Sequence, residues 1–250
     1  MKTMIPAIVA ALTVTLSQPS FAAFGDLLKK LEQTLPSTVE TDAQPTGNTT
    51  LDPATLSAGL KEALQLGSER AVAQLAAPDG FLANPAVHIP LPAVVDQSAI
   101  LLRQFGLGTL VDQLETSMNR AAEQAVPAAA GQLRSAVEQM TIDDARRIYN
   151  GGDDAATRYF RQQRGEAIAT EFRPLIRDAM NSVGVTRYYQ QLVQQANQYP
   201  LIGNLNLDLE QHVTDAAVDG LFTTLAEQEA LIRKDPAARS SELLKQVFGF

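Results

Sequence analysis

Leu107-Gly108-Thr109-Leu110-Val111-Asp112-Gln113-Leu114-Glu115-Thr116-Ser117-Met118-Asn119-Arg120-Ala121-Ala122-Glu123-Gln124-Ala125 sets Leu110, Val111, Leu114, Met118, Ala121, Ala122 and Ala125 at spacings of three and four. That period belongs to an amphipathic α-helix with one buried face. Asn119 and Glu123 sit one turn apart beside the apolar line, with Arg120 three residues before Glu123. Pro127 breaks or kinks the helix, because it lacks the N–H that the helical ladder needs.

The same period recurs in both directions. Upstream, Leu56, Leu60, Ala63, Leu64, Gly67, Ala71 and Leu75 predict a helix that starts after Pro53 and stops at Pro78-Asp79-Gly80. Between the two helical regions, Phe81 to Pro92 carries prolines at 85, 90 and 92 and alternates Val87, Ile89 and Leu91. Proline cannot donate to a sheet ladder, so this reads as an extended, partly buried flap and not a central strand. Ala93 to Phe105 adds a short helix, and Gly106-Leu107-Gly108 reads as a helix junction. It lacks the third glycine and the preceding strand of a dinucleotide loop.

Downstream, Leu133, Ala136, Val137 and Met140 resume the pattern. Thr141 is placed to cap a helix whose first turn holds Asp143 and Asp144, and Asn150-Gly151-Gly152 ends it. Asp153 or Asp154 is expected to cap a long helix along Ala156, Phe160, Ile168, Phe172, Leu175, Ile176, Ala179 and Val183, bent by Gly165 and Pro174. Helices follow over Val185 to Asn197, from Asp208 through Leu225, and beyond Pro236 to Phe248. The chain therefore reads as all-α, a single-domain multi-helix bundle over residues 54–250 with a proline-rich extended flap.

The N-terminal residues differ in character. Lys2, an apolar run from Ile5 to Leu16 and Ser20-Phe21-Ala22 form the pattern of a signal peptide over residues 1–22. The apolar run is about a dozen residues, short of the roughly 20 that span a bilayer, so a membrane anchor is disfavoured. Residues 23–33 form a short amphipathic segment. Residues 34–53 are rich in Pro, Thr, Asp, Gly and Asn and read as a flexible linker. The localisation expected is periplasmic or secreted, with no transmembrane segment in the mature chain.

Composition narrows the chemistry. The formal charge is −8 and argues against a nucleic-acid partner. Zero cysteines exclude disulfides and thiolate sites, and two distant histidines, His88 and His212, do not make a metal site. No Gly-x-Ser-x-Gly elbow occurs, and no motif calls for a cofactor. Asp143/Asp144 and Asp153/Asp154 fall at helix starts, where free backbone amides stabilise carboxylates. The polar residues that could meet across helices are Asn119, Arg120, Glu123, Asn150, Asp153, Arg173, Asp219 and Arg239, as a structural clasp or as an anion pocket. The five tyrosines, at 149, 159, 188, 189 and 199, either line a groove or edge the core.

Several strings in one order carry a resemblance: Pro78-Asp79-Gly80-Phe81-Leu82, Asn84-Pro85-Ala86-Val87, Ile89-Pro90-Leu91-Pro92, Gly106-Leu107-Gly108, Ser117-Met118-Asn119-Arg120-Ala121-Ala122-Glu123, Asn150-Gly151-Gly152-Asp153, Phe172-Arg173-Pro174 and Pro236-Ala237-Ala238-Arg239. Together they resemble the uncharacterised bacterial exported family known as domain of unknown function 4197, over about Leu60 to Phe248. The resemblance implies a helical envelope protein and supplies no activity, cofactor or catalytic residue.

The functional expectation is a non-enzymatic periplasmic binding or interaction protein. Its partner would be a small hydrophobic or amphiphilic ligand, with Phe81, Val87, Ile89 and Leu91 of the flap as its expected cover, or another envelope protein. The alternative is a periplasmic enzyme whose site forms only in three dimensions from Arg120, Glu123, Asp153 and Arg173.

Overall fold

The computed structural model describes residues 51–199, 205 and 207–249. The signal peptide expected at 1–22, the amphipathic segment at 23–33 and the linker up to residue 50 lie outside the described residues. Among the described residues there are nine α-helices and no strand. They are α1 (Pro53–Ala76), α2 (Ala93–Gln104), α3 (Gly108–Ala125), α4 (Ala129–Gln139), α5 (Ile142–Tyr149), α6 (Ala155–Val183), α7 (Val185–Ala196), α8 (Leu209–Lys234) and α9 (Glu242–Phe248). Short 3-10 turns occupy Val126–Ala128 and Pro236–Ala238.

The two longest helices, α6 and α8, pack along each other, with α3 against α6 and α1 against α8. The outer face of α1 receives α4, α5 and α9, while α7 lies on α3 and α2 packs on α3 alone among the larger contacts. One apolar core runs through these layers, and Phe81, Phe160, Phe172 and Phe222 are among its largest fully buried side chains. Burial of each contributes about 2 kcal/mol by transfer from water.

Local sequence explains most of the element boundaries. Pro53 opens α1 where its missing N–H is no loss, and the Asp52 carboxylate accepts from the Thr55 amide. Asp52 and Pro53, counted with the linker from sequence, thus belong to the first helix. All seven residues of its expected apolar line are buried. The helix stops at a turn in which Asp79 has φ +67°, and a Cβ on Gly80 would lie 2.5 Å from the carbonyl oxygens of Gln74 and Leu75. Thr141 and Asp144 form a reciprocal capping box at α5, and Asp208 caps α8 through the Gln211 amide. The chain passes from α6 to α7 through Gly184 at φ +87°, a left-handed conformation open to glycine.

Two expectations about α6 need correction. Asp154 stands at its N-cap position but makes no side-chain capping bond, and Asp153 lies one residue earlier. Leu175 is exposed, because the inward line runs Phe172, Ile176, Ala179 and Met180 and leaves position 175 on its flank. Gly165 and Pro174, where a bend is expected, both lie inside this one continuous helix.

The segment between α1 and α2 turns at residues 78–87 and is then extended. Phe81 and Ile89 are fully buried, Val87 and Leu91 nearly so, and Pro90 between them is exposed. The alternation read from sequence is real, but its apolar side chains point into the body as a strap. The Phe81 ring lies against the backbone of α8, where a Cβ on Gly220 would stand 2.7 Å from Phe81 Cε1.

Two glycines give opposite predictions. Gly220→Ala must displace the Phe81 ring and is expected to cost about 1–3 kcal/mol by overpacking. Gly131→Ala, at an exposed position of α4 with nothing within 4 Å of the new methyl, is expected to stabilise by about 0.5–1 kcal/mol. Urea unfolding followed by circular dichroism reads both signs. For Asp144, the Thr141 hydroxyl and then its amide, with Arg147, hold the carboxyl below the usual aspartate range. Its folded value lies below its unfolded one, so its contribution is present above the ordinary aspartate range and lost as pH falls through the lowered value. The stability gap between wild type and Asp144→Asn is therefore expected to close in acid.

Candidate functional site

The buried face of α3 carries Glu115, Asn119 and Glu123 four residues apart, and all three hold the strap. Asn119 is fully buried, and its Oδ1 accepts from the Ile89 amide at 2.9 Å while its Nδ2 donates to the Ile89 carbonyl at 2.9 Å and to the Glu115 carbonyl at 3.0 Å. One side-chain amide thus serves both backbone groups of Ile89, as a neighbouring strand would. Glu123, 5 % exposed, accepts from the amides of Phe81 and Leu82 at 3.2 and 3.3 Å through Oε1. Its Oε2 accepts from Arg120 at 2.7 Å, and Arg120 donates onward to Asp79 at 2.6 Å. The hydrogen bond to Glu123, with that to Asp79, holds the Arg120 guanidinium above its ordinary value against the opposing effect of burial. His88 completes the group, with Nδ1 3.0 Å from the Leu82 carbonyl and Nε2 2.9 Å from Glu115. His212 meets the Pro90 carbonyl at 2.9 Å.

A second polar group lies where α6 begins. Glu229 of α8 is 7 % exposed, and its carboxylate accepts from the amides of Ala156 and Thr157 at 3.0 and 2.9 Å and from the Thr157 hydroxyl at 2.9 Å. A carboxylate from another helix therefore caps α6 and meets the positive end of its dipole. Arg233, one turn along α8, pairs with Glu229 at 3.0 Å and donates to the Ile148 carbonyl at 2.9 Å. Arg239, 9 % exposed, donates to the carbonyls of Ile232 and Arg233 at 3.0 and 2.8 Å, closing the C-terminal end of α8.

Of the eight polar residues singled out from sequence, the structure brings together Asn119, Arg120 and Glu123, and places Arg239 in the second group. Asn150 is an exposed C-cap on α5, Asp153 pairs at the surface with Lys234, Arg173 bonds Gln211, and Asp219 pairs with Arg161 at 2.7 Å. Arg120, Glu123, Asp153 and Arg173 do not converge on one site. Glu229, Glu115, Asp79 and Arg233 were not singled out. The four-residue spacing of Glu115, Asn119 and Glu123 on an apolar face is a signal for the first group, whereas Glu229 has no local one. The tyrosines are half-buried at the edge of the core: Tyr149 donates to the Val247 carbonyl, Tyr189 bonds the backbone at Leu205 and Leu207, and Tyr199 stacks on Phe105 at 4.1 Å between centroids.

The concave features divide into open and closed. A cleft of about 500 Å³ beside Arg177, Asn181 and Glu210 is polar and open. The Arg177 guanidinium holds the Glu210 carboxyl below its ordinary range, which keeps it charged and unsuited to proton donation near neutral pH. A groove of about 200 Å³ runs between α1 and α4 beside Val72, Ala73 and Val137. Where α1, α6, α8 and α9 meet, a cavity of about 20 Å³ is walled mainly by Leu60, Leu64, Phe160, Leu225, Ile232 and Phe248. Ser68 faces it, and the Ser68 hydroxyl is buried with no hydrogen-bond partner among the described residues. No group of three or more His, Cys, Asp or Glu residues placed to hold a metal occurs among the described residues, and no described helix is long and apolar enough to cross a membrane.

Glu123→Ala strands two buried amides and the Arg120 charge, and is expected to cost about 3 kcal/mol. Glu123→Gln keeps an oxygen for the amides and is expected to lose less. Denaturant titration of both variants checks the order.

No match was found among curated proteins or solved structures. A family model described as protein of unknown function (DUF4197) matches residues 50–249, from just before α1 to the end of α9. The strap, the α3 face that holds it and the Glu229 junction all fall within this match, and the chain belongs to that family.

Proposed function

We propose that this chain is a non-enzymatic binding protein of the bacterial periplasm that carries a hydrophobic or amphiphilic ligand within its helical body. The observation that carries this reading is the apolar cavity where four helices meet, with an unpartnered serine hydroxyl in its wall. Its apolar lining with few polar groups matches the chemistry of a small-molecule site, but at about 20 Å³ it has room for one water, so a ligand would need its walls to part. The signal-like residues 1–22 support export. The enzymatic alternative loses its basis in these residues, since Arg120 and Glu123 are consumed in holding the strap while Asp153 and Arg173 lie in other pairs.

An envelope-protein partner is a second reading, favoured by α2, on which Val94 is 41 % and Ile100 72 % exposed. Native mass spectrometry of the chain released gently from the periplasm separates the two. An adduct of lipid or metabolite mass is the expected result. Bare chain alone would contradict ligand carriage, and a multiple of the chain mass would favour a protein partner.

A further inference from the structure

The groove between α1 and α4 holds about 200 Å³, about ten times the junction cavity, with which it shares only Ser68. At the roughly 30 Å³ that a water takes in the liquid, this is room for about seven non-hydrogen atoms. The lining residues recur every three or four positions on both helices, so one face of each helix forms a wall. Val137 is buried, Val72 is half-buried, and Ala73 and Ala130 are exposed. These four make the surface of the groove mainly apolar, and the two alanines leave the space that a longer side chain would fill.

Two opposite charges face the groove from opposite walls, Glu69 of α1 and Arg134 of α4, and they do not pair with each other. Glu69 accepts one hydrogen bond, from the neutral Gln65 amide at 3.1 Å. Arg134 has no hydrogen bond or ion pair among the described residues, although Glu138 stands one turn along the same helix. Every other described arginine is paired with or bonded to an oxygen of the protein. A lone anion in the groove would meet Glu69 as a like charge, and a lone cation would meet Arg134. A zwitterion with an apolar group satisfies all three features. Its ammonium donates to Glu69, its carboxylate accepts from the Arg134 fork, and its side chain covers the valines and alanines.

We propose that this groove binds a free α-amino acid with an apolar side chain of about leucine size. The site is separate from the junction cavity, so the proposal goes beyond the carrier reading and is tested apart from it.

The test is titration of the isotope-labelled chain with L-leucine, followed by amide NMR and by calorimetry. Leucine is expected to bind one to one and to shift the amides of Val72, Ala130 and Val137. Three further probes each lack one feature: leucinamide the carboxylate, 4-methylpentanoate the ammonium, and glycine the side chain. Each is expected to bind about fivefold or more weakly than leucine. Arg134→Gln is expected to weaken leucine and 4-methylpentanoate by about threefold or more without weakening leucinamide. Glu69→Gln is expected to weaken leucine and leucinamide without weakening 4-methylpentanoate. Both side chains are exposed, so the helical circular dichroism of the two variants is expected to match wild type. No binding of leucine at millimolar concentration, shifts clustered away from the groove, or equal binding of all four probes would overturn the site. Leucine binding that neither variant changes would overturn the roles given to Glu69 and Arg134. A lipid-mass adduct in native mass spectrometry without leucine binding would overturn this site and leave the carrier reading standing.

Discussion

The carboxylate of Glu229 joins the two longest helices at the point where one of them begins. Four donors other than water converge on it: two free amides at the start of α6, the Thr157 hydroxyl and the Arg233 guanidinium. A buried charge is tolerable only with such full pairing, and truncating it would leave uncapped amides and an unpaired cation in the same small volume. Because Arg233 also reaches the carbonyl at the end of α5, this one residue fixes where α5, α6 and α8 meet. It thereby sets the shape of the apolar cavity beside them.

Glu123 repeats the solution at the other irregular region. In both places a carboxylate on a long helix accepts from two consecutive backbone amides that lie outside any ladder. Buried N–H groups must find acceptors, and a chain without strands must supply them from side chains. The polar residues inside this protein are thus bound to its own backbone. The strap from Phe81 to Leu91, tied by Asn119 and Glu123 and sunk by its apolar side chains, is a poor candidate for a moving cover.

What was legible in the sequence was what depends on residues within a turn of each other. The apolar lines of α1 and α3, the Thr141 capping box, the Asp208 cap and the alternation of Val87, Ile89 and Leu91 all follow from local period and local hydrogen bonding. The cap of α6 was not legible, because Asp154 satisfies the local rule while the acceptor is supplied from Glu229, more than seventy positions away. Arg120 and Glu123 were recognisable as a pair by spacing, but not their partners in the strap, Asp79 and the amides of Phe81 and Leu82. Leu175 was misplaced for a related reason, since spacing alone does not separate the centre of an apolar stripe from its flank.

Buried side chains of α3 and α8 lock the strap and the start of α6. Residue-resolved amide hydrogen exchange under native conditions reads this lock. The amides of Phe81, Leu82, Ile89, Ala156 and Thr157 are expected to exchange only through global unfolding, although none is held by a helical ladder. Rapid exchange at these five positions would contradict it.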